Sequence, residues 1–494
     1  MSTRPAAVIV LAAGEGTRMK SATPKVLHEI GGRSLIGHAV AAAGSLEPEI
    51  LAIVVGHGRD QVTEHVTAIA PDVRIAVQDK QLGTGHAVAC ALEELPDLNG
   101  TVVVTYGDVP LLAAGTLREF VDRHEGSRYA VTVLTALLAD PHGYGRIVRD
   151  ERGNVAAIVE QKDASPEVQA IKEINSGIYA FDAGVLRDGL ARLDTDNAQG
   201  ELYLTDLIGL ARADGLSVGG YEVADRWQTE GVNDRVQLAA LGRELNRRVT
   251  EHCMRAGVTI IDPETTWIDV TVELEADVVL RPGTQLYGAT SVAAGAQIGP
   301  DTTLRDCVVG AGANVVRAHG ESSQIEAGAD VGPYARMRPG TLVRAGGKVG
   351  TFVETKNATI GPSAKVPHLT YVGDATIGEG ANIGAGTIFV NYDGLAKHHT
   401  TVGKGSFVGS NSSLVAPVDI ADGAYVAAGS AVTDDVEPGE IAVARAKQRN
   451  IAGWVARKRS GTRTADAAAE AQAAGTRHTG DLRGEAGQAG GEGS

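Results

Sequence analysis

The chain has 494 residues, a net charge of −16, 43% hydrophobic residues and only 4% aromatics. That is chain enough for about three domains, and the acidic balance argues against nucleic-acid binding. No apolar run approaches 18 residues, no signal-peptide layout opens the chain, and Cys90, Cys253 and Cys307 show no paired spacing, so a cytoplasmic protein without membrane partner or CxxC zinc site is expected.

Residues 6–12 read as a buried strand, followed by Gly14-Glu15-Gly16-Thr17-Arg18. Similar strand signals recur at 50–55, 73–77, 101–105 and 129–134 with helical segments between, which predicts a parallel sheet covered by helices. The first loop lacks the third glycine of a dinucleotide fingerprint and is followed by Arg18 and Lys25. A backbone nest with two cations suits a triphosphate. Strand 101–105 runs into Tyr106-Gly107-Asp108, leaving a carboxylate at a strand's carboxyl end, where open α/β sheets bind ligands and where such a group commonly holds Mg²⁺. Gly143-Tyr144-Gly145-Arg146, Glu160-Gln161-Lys162, Asn175-Ser176-Gly177 and residues 201–206 each read, taken singly, as turns or caps.

Residues 234–256 predict one long helix with Asn233-Asp234 as its N-cap, a linker between the sheet domain and the second half of the chain. From 268 to 432 aliphatics recur every six residues: Ile268, Leu274, Leu280, Leu286, Val292, Ile298 and Leu304, then Ile325 to Val349, then Val402 to Val432. Many are followed directly by glycine, as in Ile298-Gly299 and Val408-Gly409. That period is neither helical nor simple strand alternation, and predicts a three-faced parallel β-helix of about nine coils. Residues 316–324 and 384–401 read as insertions. Spacings of eleven (Val349 to Ile360) and five (Val372 to Ile377) bracket Glu354-Thr355-Lys356 and Pro367-His368-Leu369-Thr370-Tyr371. Broken register around a Lys, a His and a Tyr marks a site more often than a defect. Residues 456–494 are rich in Ala, Gly, Glu and Thr and are expected to be disordered.

The motifs LAAGEGTRM (11–19), QLGTGHA (81–87), YGDVP (106–110), VEQKDA (159–164), INSGIYAF (174–181), FVETKN (352–357), KVPHLTYVGDA (365–375) and NYDG (391–394) occur in order. Together they closely resemble the bacterial bifunctional N-acetylglucosamine-1-phosphate uridyltransferase/glucosamine-1-phosphate N-acetyltransferase family, over residues 6 to 455. The resemblance implies a Rossmann-like nucleotidyltransferase domain (1–229), a linker helix (230–257), a left-handed β-helix acetyltransferase domain (258–455) and a homotrimer. Its substrates are glucosamine 1-phosphate, N-acetylglucosamine 1-phosphate, UTP and acetyl-CoA, with Mg²⁺ as cofactor and UDP-N-acetylglucosamine for the cell wall as product. By resemblance, Leu11, Ala12, Ala13, Gly14, Gln78, Gly83 and Thr84 contact the uridine nucleotide, and Arg18 and Lys25 clamp phosphate. Tyr106, Gly107, Gly145, Glu160 and Asn175 correspond to sugar-nucleotide contacts, and Asp108 with Asn233 to the metal ligands. Arg338, Lys356, Tyr371 and Asn382 match residues holding the amino-sugar phosphate, with His368 as general base. Ala385, Asn391, Tyr392, Ser410, Ala428 and Arg445 match the acetyl-CoA region.

Glu354 and Asn391 are both candidates to orient His368. Two other readings compete: a nucleotidyltransferase whose β-helix is only a trimerisation module, and a zinc site between subunits as in hexapeptide-repeat carbonic anhydrases. The clustering of His368, Lys356 and Tyr371 at register slips argues against the first. The adjacency of His398 and His399 in one loop argues against the second.

Overall fold

A computed structural model of the chain describes residues 4–197 and 199–475. Aliphatic runs bounded by glycine and proline form the central strands β1 (Ala7–Ala12), β2 (Ile50–Val55), β3 (Arg74–Val77), β4 (Thr101–Tyr106), β5 (Val131–Leu137), β6 (Glu173–Asp182) and β7 (Val218–Glu222). They lie in the order β7-β5-β6-β4-β1-β2-β3. Helices cover both faces and bury two apolar layers, one around Ile9, Val54 and Val104 and one around Val8, Ile53 and Phe120. Covering on both faces is why these strands are continuously apolar rather than alternating.

The sheet is mixed, not wholly parallel as the strand signals predicted. β6 runs antiparallel to both β4 and β5. A strand buried on both faces has the same composition in either direction, so the reversal leaves no mark in the pattern. Asn175-Ser176-Gly177 proves to be a bulge inside β6, where the register slips between Asn175 and Tyr179. Gly177 adopts φ +82°, and a Cβ there would lie 2.6 Å from the Tyr106 ring. The glycine is needed both for the backbone and for the tyrosine.

The linker helix, Arg235–Arg255, starts where the Asp234 side chain accepts from Gln237 N at 2.8 Å. It is packed along its length, not a free rod. Leu241 joins Met19, Ile30 and Leu111 in the sheet domain's core. Buried Asn246 donates to Thr266 O at 2.8 Å and accepts from Ile268 N at 3.1 Å, which ties the helix to the first coil of the prism. Val270 N donates to Gly31 O at 2.9 Å, joining sheet domain and prism directly.

The β-helix has eleven strands on one face, two more coils than the count of about nine expected, because the first and last coils carry no clean repeat. A seventeen-strand sheet winds over the other two faces. The six-residue aliphatics fill one continuous core from Val258 to Val436, with Leu274 partly buried. At the corners, buried Thr and Ser hydroxyls donate to the carbonyl three residues back, as in Thr284 to Arg281, Thr341 to Arg338 and Ser412 to Gly409, each at 2.7 Å. The corner's own backbone thus satisfies a polar group inside the prism.

Two interruptions differ from expectation. Residues 316–324 are not an insertion: His319–Glu321 is a regular strand pairing with Thr303–Arg305 and Arg336–Met337. Gly320 takes the inward position, and the Leu304 and Met337 side chains fill the space a side chain there would need. An inward glycine breaks the aliphatic count without breaking the coil. The second insertion is shorter than 384–401, since Ile388–Val390 and Thr400–Val402 are both in register, leaving the loop 391–399.

Residues 443–475 form a separate unit. Part of the segment expected to be disordered is helical there: Arg463–Ala473 is a helix capped by Thr462 and buries no residue. Its alanines supply intrinsic helix propensity where apolar burial is absent. Residues 476–494, the rest of that expectation, lie outside the described residues.

Candidate functional site

In the sheet domain the carboxyl ends of β1 and β4 and the loops after them enclose a cavity of about 320 Å³. Leu11, Ala12, Ala13, Gly14, Lys25, Gln78, Gly83, Thr84, Tyr106 and Asp108 all line it, so most of the residues singled out for the nucleotide meet in one place. Gly107 N donates to Leu11 O at 2.9 Å and holds the two strand ends together. Lys25 is ion-paired to Asp108, both side chains being mostly buried. Val232 N donates to Asp108 O at 2.9 Å, which brings Asn233 beside the strand end. Arg18 donates to Asn233 Oδ1 at 2.9 Å. One carboxylate and one amide oxygen, each bonded to a cation, therefore stand close together at this strand end.

The residues expected at the sugar, Gly145, Glu160 and Asn175, are assembled around the β6 bulge. Asn175 N donates to Gly145 O at 2.9 Å, and a Cβ on Gly145 would lie 3.0 Å from Glu160 Oε1. Asn175 Oδ1 accepts from Gly177 N and from the Tyr179 hydroxyl, at 2.9 and 3.0 Å. Burial, then the charges of Asp163 and Asp206, push the Glu160 carboxyl up. Burial likewise raises the Tyr106 phenol, so it stays a hydrogen-bond donor. Arg146, which in the sequence is only the end of a turn, is buried here. It donates to Gln161 Oε1 at 2.7 Å and to Tyr144 O, bracing this wall.

In the prism, the two register slips are one shortened corner repeated in successive coils. Lys356 and Gly373 are register partners there, and Asn357 and Asp374 take left-handed backbone. Asn357 and Asn391 both donate to Asp374, the former at 2.7 Å. Burial pushes the Asp374 carboxyl up, but these hydrogen bonds and the charges of Lys356 and Lys397 outweigh it and hold it below the usual range. The Tyr371 hydroxyl lies across Gly373 beside Asn391, in space any side chain at 373 would occupy. Arg338 pairs with Glu354 at 3.1 Å on the same face. Lys397, from the 391–399 loop, faces Lys356, and its hydrogen bond and charge lower the Lys356 ammonium. No motif marks Lys397, because only the folded loop carries it back to Lys356.

His368 stands at the opposite corner of that face. It is exposed, in register with Thr351, and Gly386 N donates to its carbonyl at 3.3 Å. Ala385, Ser410 and Ala428 stack one coil above another at the same corner, as the pairing of Ile383, Val408 and Val426 requires. Neither candidate orienter reaches the His368 ring: Glu354 is paired with Arg338 and Asn391 with Asp374. Asn382 lies on the eleven-strand face between Lys365 and Phe407. Among the described residues, no hydrogen bond or ion pair joins Asn382 or the His368 ring to Arg338, Lys356 or Tyr371. Tyr392 is exposed and donates to Gly394 O at 2.6 Å. His398 pairs with Asp393 at 2.7 Å and His399 with Thr376 at 3.0 Å, so both neighbouring histidines have local partners. Arg445 belongs to the separate 443–475 unit.

Residues 8–168 match the model of the MobA-like NTP transferase domain. The chain is 57% identical over 470 residues to the bifunctional protein GlmU of Corynebacterium aurimucosum, covering 94% of this chain and 96% of that protein. It is 58% identical over 467 residues to the protein of the same name from Streptomyces avermitilis, covering 94% and 97%. The match to that of Kineococcus radiotolerans is 58% over 468 residues, covering 94% and 95%. Such identity runs through sheet, linker and prism alike, and with it comes the left-handed sense of the β-helix: the chain belongs to the family of bifunctional GlmU proteins.

Proposed function

We propose that the chain makes UDP-N-acetylglucosamine from glucosamine 1-phosphate in two steps, acetylation on the prism and uridyl transfer in the sheet domain. The boundaries 1–229, 230–257 and 258–455 divide the two activities. The observation that carries the reading is the pair of separate polar constellations, each suited to one half of the chemistry. In uridyl transfer a phosphate oxygen of N-acetylglucosamine 1-phosphate attacks the α-phosphorus of UTP, and pyrophosphate leaves. The nucleophile is already anionic, so neutralising charge matters more than moving a proton. Lys25 and Arg18 supply positive charge to the phosphates, while Leu11 to Gly14, Gln78, Gly83 and Thr84 hold the nucleoside. Tyr106, Gly107, Gly145, Glu160 and Asn175 hold the sugar.

Asp108 and Asn233 fit a Mg²⁺ site: one carboxylate and one amide oxygen, adjacent to a phosphate pocket, with cations already attracted to both. When bound, the ion neutralises the phosphate oxygens.

In acetyl transfer the neutral amine attacks the thioester carbonyl of acetyl-CoA, its proton passes to His368, and the CoA thiolate leaves. Imidazole suits that role because it is a base near neutral pH. Arg338, Lys356, Tyr371 and Lys397 receive the sugar phosphate. An anion between Lys356 and Lys397 relieves their repulsion. His368 and this cluster stand at different corners of one face, and among the described residues no hydrogen bond or ion pair joins the His368 ring to Arg338, Lys356 or Tyr371. The reading therefore includes a homotrimer in which each acetylation site draws on neighbouring copies. Asn382, and Ala385, Asn391, Tyr392, Ser410 and Ala428 around acetyl-CoA, then complete it.

Incubating the protein with glucosamine 1-phosphate, acetyl-CoA, UTP and Mg²⁺ tests the whole reading. UDP-N-acetylglucosamine is expected only with all four. Uridyl transfer without any acetyl transfer would instead make the prism a structural module.

A further inference from the structure

The Gln78 side chain is 5% exposed and lines the nucleotide cavity. Its amide nitrogen donates to Gly83 O at 3.0 Å and to His86 Nδ1 at 3.1 Å. A carbonyl only accepts, so the nitrogen has to face Gly83, and both amide hydrogens are then used. The Gly83 carbonyl is itself fixed. Leu202 N donates to Leu82 O, and Gly85 N to Leu202 O, each at 2.8 Å. A Cβ at Gly83 would meet Leu202 O at 2.5 Å, so the loop and residue 202 are in direct contact. With its nitrogen committed, the atom the Gln78 amide has left for a ligand in the cavity it lines is the carbonyl oxygen, Oε1. His86 accepts at Nδ1, so its neutral ring carries hydrogen on Nε2, which faces Cys90 Sγ at 3.6 Å. Among the described residues the weak contact with the Cys90 thiol is the ring's one other side-chain bond, and Nδ1 serves Gln78 alone.

We infer that His86 is a positioning residue for base selection: by holding the Gln78 amide in one orientation, it makes the cavity present an acceptor to the base. The inference rests on the proposed role of Gln78 as a nucleoside contact. Where it meets ring position 3, an acceptor suits uracil, whose N3 carries hydrogen, and opposes cytosine, whose N3 is a lone pair. A buried group built for one hydrogen-bond pattern rejects the other strongly, because the wrong base leaves it unpaired. Without His86, one amide hydrogen is left buried and unpaired, and rotation of the amide becomes competitive.

Initial rates with UTP and CTP, across nucleotide concentrations, test this in His86→Leu and His86→Asn. Asparagine places an acceptor oxygen near the position of Nδ1, and leucine places none. His86→Leu is expected to raise KM for UTP roughly tenfold, leave kcat within about threefold, and narrow the UTP-over-CTP ratio by a similar factor. His86→Asn is expected to restore most of both. Equal losses in the two variants, or an unchanged ratio in His86→Leu, overturn the inference, provided thermal melts match wild type. If His86→Leu fails to fold, His86→Asn against His86→Ala gives the same comparison. Gln78→Leu separates the two levels: an unchanged KM for UTP there refutes the nucleoside contact itself, not the part played by His86.

Discussion

The sheet domain and the prism gather their functional residues in opposite ways. In the sheet domain, residues from 11 to 201 converge on one cavity because parallel strands end together and their loops fold over the same edge. In the prism each coil contacts only its neighbours, so residues align in columns along corners, and columns on different corners stay apart. A sheet can finish a pocket within one chain. A solenoid offers rows, and a pocket between rows calls for a second surface. On this view the acetylation site is a property of the assembly and the uridyl-transfer site a property of the chain.

Substitutions on either side sharpen that contrast. Asp108→Ala is expected to give the largest effect: uridyl transfer falls by on the order of 10³ or more while acetyl transfer stays near wild type, read by separate assays of each step. Loss of both activities would mean that the two regions depend on each other. His368→Ala is expected to lower acetyl transfer by on the order of 10² to 10⁴ with uridyl transfer intact. A variant acetylating at near wild-type rate at pH 7 would remove His368 from the mechanism. For Lys397→Ala, KM for glucosamine 1-phosphate is expected to rise about tenfold, a charge-assisted contact's worth, with little change in KM for UTP. The last effect is on stability rather than activity, and belongs to the joint. Arg247 and Arg248 hydrogen-bond the Glu244 carboxylate on the linker helix and hold its pKa at about 2, against an ordinary 4.5. A lowered folded-state pKa adds stability above pH 4.5 that is lost as pH falls toward 2, here about 3 kcal/mol at most. Chemical denaturation of wild type and Glu244→Gln across that window should show their difference shrinking; a constant difference would contradict the assignment.

How much was legible in the sequence splits along the same divide. The prism's core could be counted from Ile268 to Val432, because every coil repeats one inward position. It failed at Gly320, where neighbours fill the inward space, and around the loop 391–399, whose bounds the count set too wide. In the sheet domain, strands were legible but the direction of β6 was not, since burial on both faces hides polarity of the chain. Residues within motifs, such as Asp108 and Lys25, could be singled out beforehand, and both line the cavity. Lys397, Arg146 and the Gln78–His86 contact were not, because their meaning lies in what a loop or helix turn carries them against.

The claim that the acetylation site is shared between copies is tested most directly by mixing. His368→Ala and Lys356→Ala chains, each deficient alone, are unfolded together, refolded, and assayed for acetyl transfer. If His368 of one copy works with Lys356 of another, mixed assemblies regain activity well above the sum of the two parents. If both residues serve from the same chain, every site in the mixture remains defective and no activity returns.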